Sequence, residues 1–200
     1  MNTDSARGPA LIAAAAAEAA RVVAGVPGHP MDAATPCDEW DLRTLVNHTI
    51  VWTSYSAERR AHGESVAEDL ISKDFTADPG FAEDYAAQVG RAVTAWSDPA
   101  VWARDLSVMG SSIPAADVAA MLIMEMVLHG WDIARTTGQE YACDHAVAAL
   151  VLATVEAQGE LFRQYQGFAP IVPGPVGRQG ATVLDRALRL SGRDPDWKPR

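Results

Sequence analysis

Glu125, His129 and Asp132 follow one another at i, i+4 and i+7 in the stretch EMVLHGWD, and all three can bind a proton or a metal. On a helix, at about 100° per residue, they fall within roughly 60° of one another. Met121, Leu122, Ile123, Met124, Met126, Val127 and Leu128 surround them on nearly every side, the pattern of a buried helix. An uncompensated buried carboxylate costs several kcal/mol, so Glu125 is expected to have a partner.

His48 is the natural place to look. It stands within LVNHTIVW, flanked by Leu45, Val46, Ile50 and Val51, whereas His29, His62 and His145 fall in a loop, at a helix end and in a first turn, where water reaches them. A lone His on an apolar face is more often a hydrogen-bonded core residue than a ligand. A Glu-x-x-x-His pair is likewise more often a solvated face. Two His and one Glu on two apolar helices of one domain weigh more than either alone. One divalent cation would bind His48, Glu125 and His129 together and offset the burial of the carboxylate. Two imidazoles and a carboxylate leave a coordination position open, as in catalytic Zn²⁺ sites and facial-triad Fe²⁺ sites. Asp132 is one turn beyond His129, where it would accept the second ring N–H of a ligand His. A surface or capping contact near the helix end is its competing reading.

The elements that must position these residues are almost all helical. A first helix over about 9–25 carries the stripe Leu11, Ala15, Ala19, Val22 and Val26 and ends in GVPGHP. Asp41 caps a second, about 42–62, which Gly63 ends. Residues 63–78 read as a long polar connection. Asp78-Pro79 opens a third helix that reaches Trp96. Residues 101–113 break the rhythm around a Gly-Ser turn, as a short hairpin does. Pro114 opens the apolar helix, which closes at Gly138, and Asp144 caps a fifth to about Gln164. A Pro/Gly loop over 167–177 and a short helix over about 179–191 follow. The expected fold is all-α, a four-helix bundle with a long crossover over residues 1–165, and a small C-terminal extension over 166–200.

Composition narrows the partners. With a net charge of −10, a pI near 4.8 and no Lys/Arg cluster, nucleic acid and anionic membrane surfaces are unsuited. The Ala-rich N-terminal run contains Glu18 and reads as an amphipathic helix, with no export signal. No uncharged stretch approaches ~20 apolar residues. Cys37 and Cys143 form no CxxC pair, which suits a reduced, cytoplasmic protein, and packing is the expected role of both. Cys37 stands eleven residues before His48, so folding can bring it closer. The apolar helix serves equally as core or as the interface of a homo-oligomer.

The segment TPCDEWDLRTLVNHTI, followed by EMVLHGWDIARTTGQ, resembles the actinobacterial DinB-like metal-binding proteins. Within that group it looks like the N-terminal domain of the mycothiol-dependent maleylpyruvate isomerase type. The likeness covers roughly residues 8–165 and extends weakly to SGRDPDW; TPC-x-EWD…NH and HGWD-x-AR-x-TG are specific as a pair. It implies a four-helix bundle holding a divalent metal, usually zinc, with His48, Glu125 and His129 as ligands and Trp40 and Trp131 as packing residues. It also implies mycothiol as a small-molecule thiol cosubstrate, acting on a small electrophile in a transfer or isomerisation. The isomerase type carries a further C-terminal domain, and the residues after the last long helix fall short of one. Three uses of the site stay open: an enzyme, a sensing or ligand-capturing module, and a structural metal centre. A structural zinc is usually closed by four protein ligands, often including Cys.

Overall fold

The structure is a computed structural model that describes residues 3–108, 110–174 and 181–199. The first helix, α1 (Thr3–Ala24), buries Ile12, Ala15, Ala16, Ala19, Val22 and Val23. That spacing is one helical stripe, with Ile12 rather than Leu11 at its start, and its small residues let neighbouring helices approach closely. The second long helix is continuous from Leu42 to His62 in three parts: α2 (Leu42–Ile50), a π turn (Val51–Tyr55) and α3 (Ser56–His62). Asp41 caps its start by accepting from Thr44 N–H. Gly63, at φ 79°, takes the left-handed conformation that ends it.

Residues 63–78 are not wholly irregular, as the sequence suggested. They contain α4 (Glu68–Ile71) and a 3₁₀ turn (Phe75–Ala77), which packs on α2. Asn47 accepts the N–H of Phe75 and donates to Asp74, so the connection returns the length of the helix it left. The next helix, α5 (Phe81–Trp96), therefore runs parallel to α2–α3, with Tyr85 bonded to Thr53, Gln88 to Glu58 and the Trp96 indole to the Ala57 carbonyl. Asp78 falls two residues short of the predicted capping role: its carboxylate accepts from Gly80 N–H, and Gly80 is the N-cap.

Asp98 caps a short α6 (Pro99–Trp102), so the expected hairpin starts later, as β1 (Asp105–Val108) paired antiparallel with β2 (Ser111–Pro114). Then comes the apolar helix α7 (Ala115–Thr136), against which α1 and α2 pack. Contacts of α1 with α7 and α5, of α3 with α5 and of α2 with α7 close the four-helix ring. Outside it, α8 (His145–Gln164), capped by Asp144, packs on α7, and α9 (Val183–Leu190) packs on α8. The predicted loop and final helix meet at residues 175–180, which lie outside the described residues. Thr182 caps α9, which starts four residues later than the sequence suggested, through a reciprocal pair with Asp185. Among the described residues no helix is long and apolar enough to cross a membrane.

Candidate metal centre

The turn before α2 is tied down locally. Thr35 Oγ1 donates to the carbonyl of Trp40 (2.8 Å), and Leu42 N–H donates to the carbonyl of Ala33. Cys37 and Trp40 are thereby held over the C-terminal half of α7. Because α2 and α7 run antiparallel, Cys37 reaches Asp132 while His48 reaches Glu125.

The donor atoms converge. His48 Nε2 lies 3.1 Å and His129 Nε2 3.3 Å from the same oxygen, Glu125 Oε2. One ligand atom from each residue lies within 4.8 Å of the others. Trp40 stacks over the His129 ring, with centroids 5.6 Å apart, and leans on His48 at 4.6 Å; Trp52 also flanks His48, at 6.2 Å. Trp40 is thus a wall of the centre as well as a packing residue. Trp131 is buried, with Arg135 over its ring. Glu125 is not sealed in, contrary to the sequence reading. Its side chain is 29% exposed and that of His48 25%, because Glu125 continues the least buried stripe of α7, through Asp117 and Met121.

Behind His129 the chemistry changes. Asp132 is fully buried, which removes its surface reading. It accepts from His129 Nδ1 (3.2 Å), from the Cys37 thiol (3.2 Å) and from Arg193, whose Nε and Nη2 reach its two oxygens at 2.9 and 2.8 Å. Such a fork is the strongest arrangement available to a guanidinium and a carboxylate. Gly192 places it: at φ 85°, with a Cβ that would stand 2.6 Å from that of Ala169, the position admits little else.

The electrostatics follow from these partners. Burial would raise the Glu125 carboxyl, but bonds from His129 and His48 hold it well below the usual carboxylate range. Burial pushes His48 down, and it stays below its ordinary value despite Glu125. Burial also opposes charge on His129, yet Asp132, Cys37 and Glu125 together raise it well above normal. Asp132, which burial would raise, is held low by Arg193 and His129.

With Nδ1–H committed to Asp132, a neutral His129 offers Glu125 only a lone pair at Nε2. Two imidazole nitrogens and a carboxylate oxygen facing one another call for a positive charge between them. A proton on His129, whose pKa its carboxylate neighbours raise, would supply it, and the donor set fits a divalent cation equally. A second cluster, Cys37, His129 and Asp132, has suitable spacing too. There Arg193 already neutralises the carboxylate, so a second cation gains little.

The structure therefore brings together the four residues singled out from the sequence, His48, Glu125, His129 and Asp132. His29, His62 and His145 are exposed, away from them. Sequence reasoning missed Arg193; the one signal for it was the tail SGRDPDW, and a lone Arg in such a tail carries no helical pattern. A cavity of about 440 Å³ lined by Tyr55, Glu58, Arg59 and His62, and another of about 740 Å³ beside α9, include none of the three converging donors.

Comparison with known proteins agrees with this architecture. The profile of the mycothiol maleylpyruvate isomerase N-terminal domain matches residues 12–134. No curated protein matches the sequence. Among solved structures, a crystal structure of the mycothiol-dependent maleylpyruvate isomerase is similar, with a TM-score of 0.68 at 16% identity. That similarity covers 98% of this chain and 94% of the isomerase chain, so the segment after α8 has a counterpart there, where the sequence reading expected a longer domain. At this identity the likeness establishes the fold, whereas the profile match spans more than half of the chain. The chain belongs to the mycothiol maleylpyruvate isomerase N-terminal domain family.

Proposed function

We propose that His48, Glu125 and His129 hold one divalent metal ion, zinc by family resemblance, and that the protein uses it to bring a low-molecular-weight thiol, mycothiol, to a small electrophile. The observation that carries this reading is the convergence of His48 Nε2 and His129 Nε2 on Glu125 Oε2. When bound, the cation supplies Lewis acidity, lowering the pKa of a thiol at its open position so that the thiolate persists at neutral pH.

The chain's own residues do the rest. Asp132 fixes the His129 tautomer by accepting Nδ1–H, which turns the Nε2 lone pair toward the donor set. Arg193 keeps Asp132 ionised in its buried position. Trp40 restricts the rotation of both rings and Trp52 that of His48, and the two indoles shield the rings in part from water. The partial exposure of His48 and Glu125 leaves an approach for the thiol from solvent. The thiolate then adds to an activated double bond or displaces a leaving group; this is transferase or isomerase chemistry.

Capture of thiol or metal without turnover is a second reading. It uses the same donor set and the same exposure of His48 and Glu125. One experiment separates the two: zinc-loaded protein is incubated with mycothiol and a panel of electrophiles, and conjugates are detected by mass spectrometry. Conjugate formation abolished by chelation supports the enzyme. Thiol binding with no protein-dependent conjugate across the panel supports capture, and no thiol binding at all rejects both.

A further inference from the structure

Among the described residues, the guanidinium of Arg60 has no protein partner. Arg60 is half-buried near the end of α3; its carbonyl accepts from Gly63 N–H, and among the described residues its guanidinium makes no hydrogen bond or ion pair. Its neighbours are engaged: Arg59 pairs with Glu64, and Glu58 accepts from Gln88 and lies near Arg91. None of its guanidinium nitrogens is among the buried atoms without a partner, so water reaches them and the fork is open to a ligand.

The π turn decides where Arg60 faces. In an uninterrupted α-helix, twelve residues separate His48 from Arg60 by three turns and roughly 120°, so the two would stand on different faces. A single π turn inserts one residue without advancing the face. Eleven effective steps bring Arg60 back to within about 20° of His48. His48, Trp52 and Arg60 thus line one face; burial lowers the Arg60 guanidinium somewhat from its ordinary value, and the Glu125 charge opposes this in part.

Charge balance gives this placement a meaning. A divalent cation, the Glu125 carboxylate and a bound thiolate sum to zero, and Asp132 and Arg193 cancel each other. Arg60 leaves one positive charge. We propose that Arg60 is a specificity-determining residue that holds a single carboxylate on the electrophile, so that the protein acts on small monoanionic acids in preference to their neutral analogues. A guanidinium suits that task because its planar fork matches a carboxylate. The inference rests on the thiol-binding reading above.

The test uses zinc-loaded wild type, Arg60→Gln and Arg60→Lys, after checking that all three have the same helix content and zinc content. Mycothiol is reacted with iodoacetate and, separately, with iodoacetamide. In each the thiolate sulfur forms a bond to the CH₂ carbon, the C–I bond breaks, iodide leaves with the bonding pair, and the thiol proton passes to solvent. The expected result is that the ratio of protein-dependent rates, acid over amide, falls about tenfold or more in Arg60→Gln, as loss of a charged hydrogen bond implies. Arg60→Lys should recover part of it.

A second readout needs no turnover: calorimetric binding of phenylacetate and phenylacetamide to the mycothiol-saturated protein should show the same loss of preference. It decides the matter if neither iodo reagent is turned over. An unchanged preference in Arg60→Gln overturns the role of Arg60. Thiol binding is checked independently on cobalt-loaded protein, through its thiolate absorption. Absence of that absorption in the wild type overturns the thiol reading itself, and with it the charge balance.

Discussion

Glu125 and Asp132, both on α7, stand seven residues apart and are treated oppositely. Asp132 is sealed, gripped by both nitrogens of one fork of Arg193, and further bonded by His129 and Cys37. Glu125 is partly open, and the groups bonded to it are two imidazoles, themselves titratable. Where the protein supplies a permanent cation, the centre is closed and finished. Where it offers only lone pairs and a carboxylate, a cation must come from outside, as a proton or as a metal. His129 joins the halves, with one ring nitrogen in each.

Breaking the closed half should have the largest effect. Arg193→Met strands a buried carboxylate, and about 3–5 kcal/mol of stability should be lost at pH 7 in metal-free protein, read by urea unfolding. Because Arg193 and His129 hold the Asp132 carboxyl below the usual range, its contribution is present above the unfolded carboxylate pKa, near 4. It is lost as the pH falls further, so the gap between wild type and variant should narrow from pH 6 to pH 3. A pH-independent gap would mean that Arg193 acts by packing alone.

Filling the open half comes next. About one equivalent of zinc should bind per chain, and at a free concentration a hundred times the dissociation constant it should add about 2.7 kcal/mol. A chelator should remove this gain without unfolding the protein; unfolding in chelator would make the metal structural.

Cutting the shared residue should cost less again. His129→Ala should bind no stoichiometric metal yet remain folded, with metal-free stability reduced on the order of 1–3 kcal/mol, since Glu125 can take up a proton. Equilibrium unfolding and metal analysis on the same sample check both parts.

The smallest effect belongs to Glu125→Gln. Metal-free stability should shift by less than about 1 kcal/mol, because the side chain reaches solvent, while metal binding is lost. A drop comparable to that of Arg193→Met would erase the contrast between the halves.

Much of this arrangement was legible in the sequence, for physical reasons that differ by element. The long helices show because apolar side chains repeat at helical spacing and because Asp41 and Asp144 leave capping signatures. Glu125, His129 and Asp132 show because one helix carries them all, so local periodicity alone sets their common face. His48 required the assumption that two apolar helices meet. Arg193 and Arg60 were not readable: the first comes from a short tail with no period, and the second faces His48 only because of the π turn, which no residue pattern announces. Nor could the sequence give the exposure of Glu125, since apolar neighbours along a helix do not say where the next helix leaves a gap.

The pairing of Arg193 with Asp132 spans 61 residues of chain, and that separation has a temporal side. At ribosomal speeds of about 5–20 residues per second, Asp132 is made roughly 3–12 s before its counterion. A bundle that closed over it in that interval would enclose either an unneutralised charge or a protonated acid. The nascent chain therefore has reason to delay: the end of α7 that carries Asp132 gains its full reward for burial only when the tail arrives. The same link couples the end of translation to chemistry, because a chain that stops before Arg193 leaves Asp132, the group that orients His129, without its counterion.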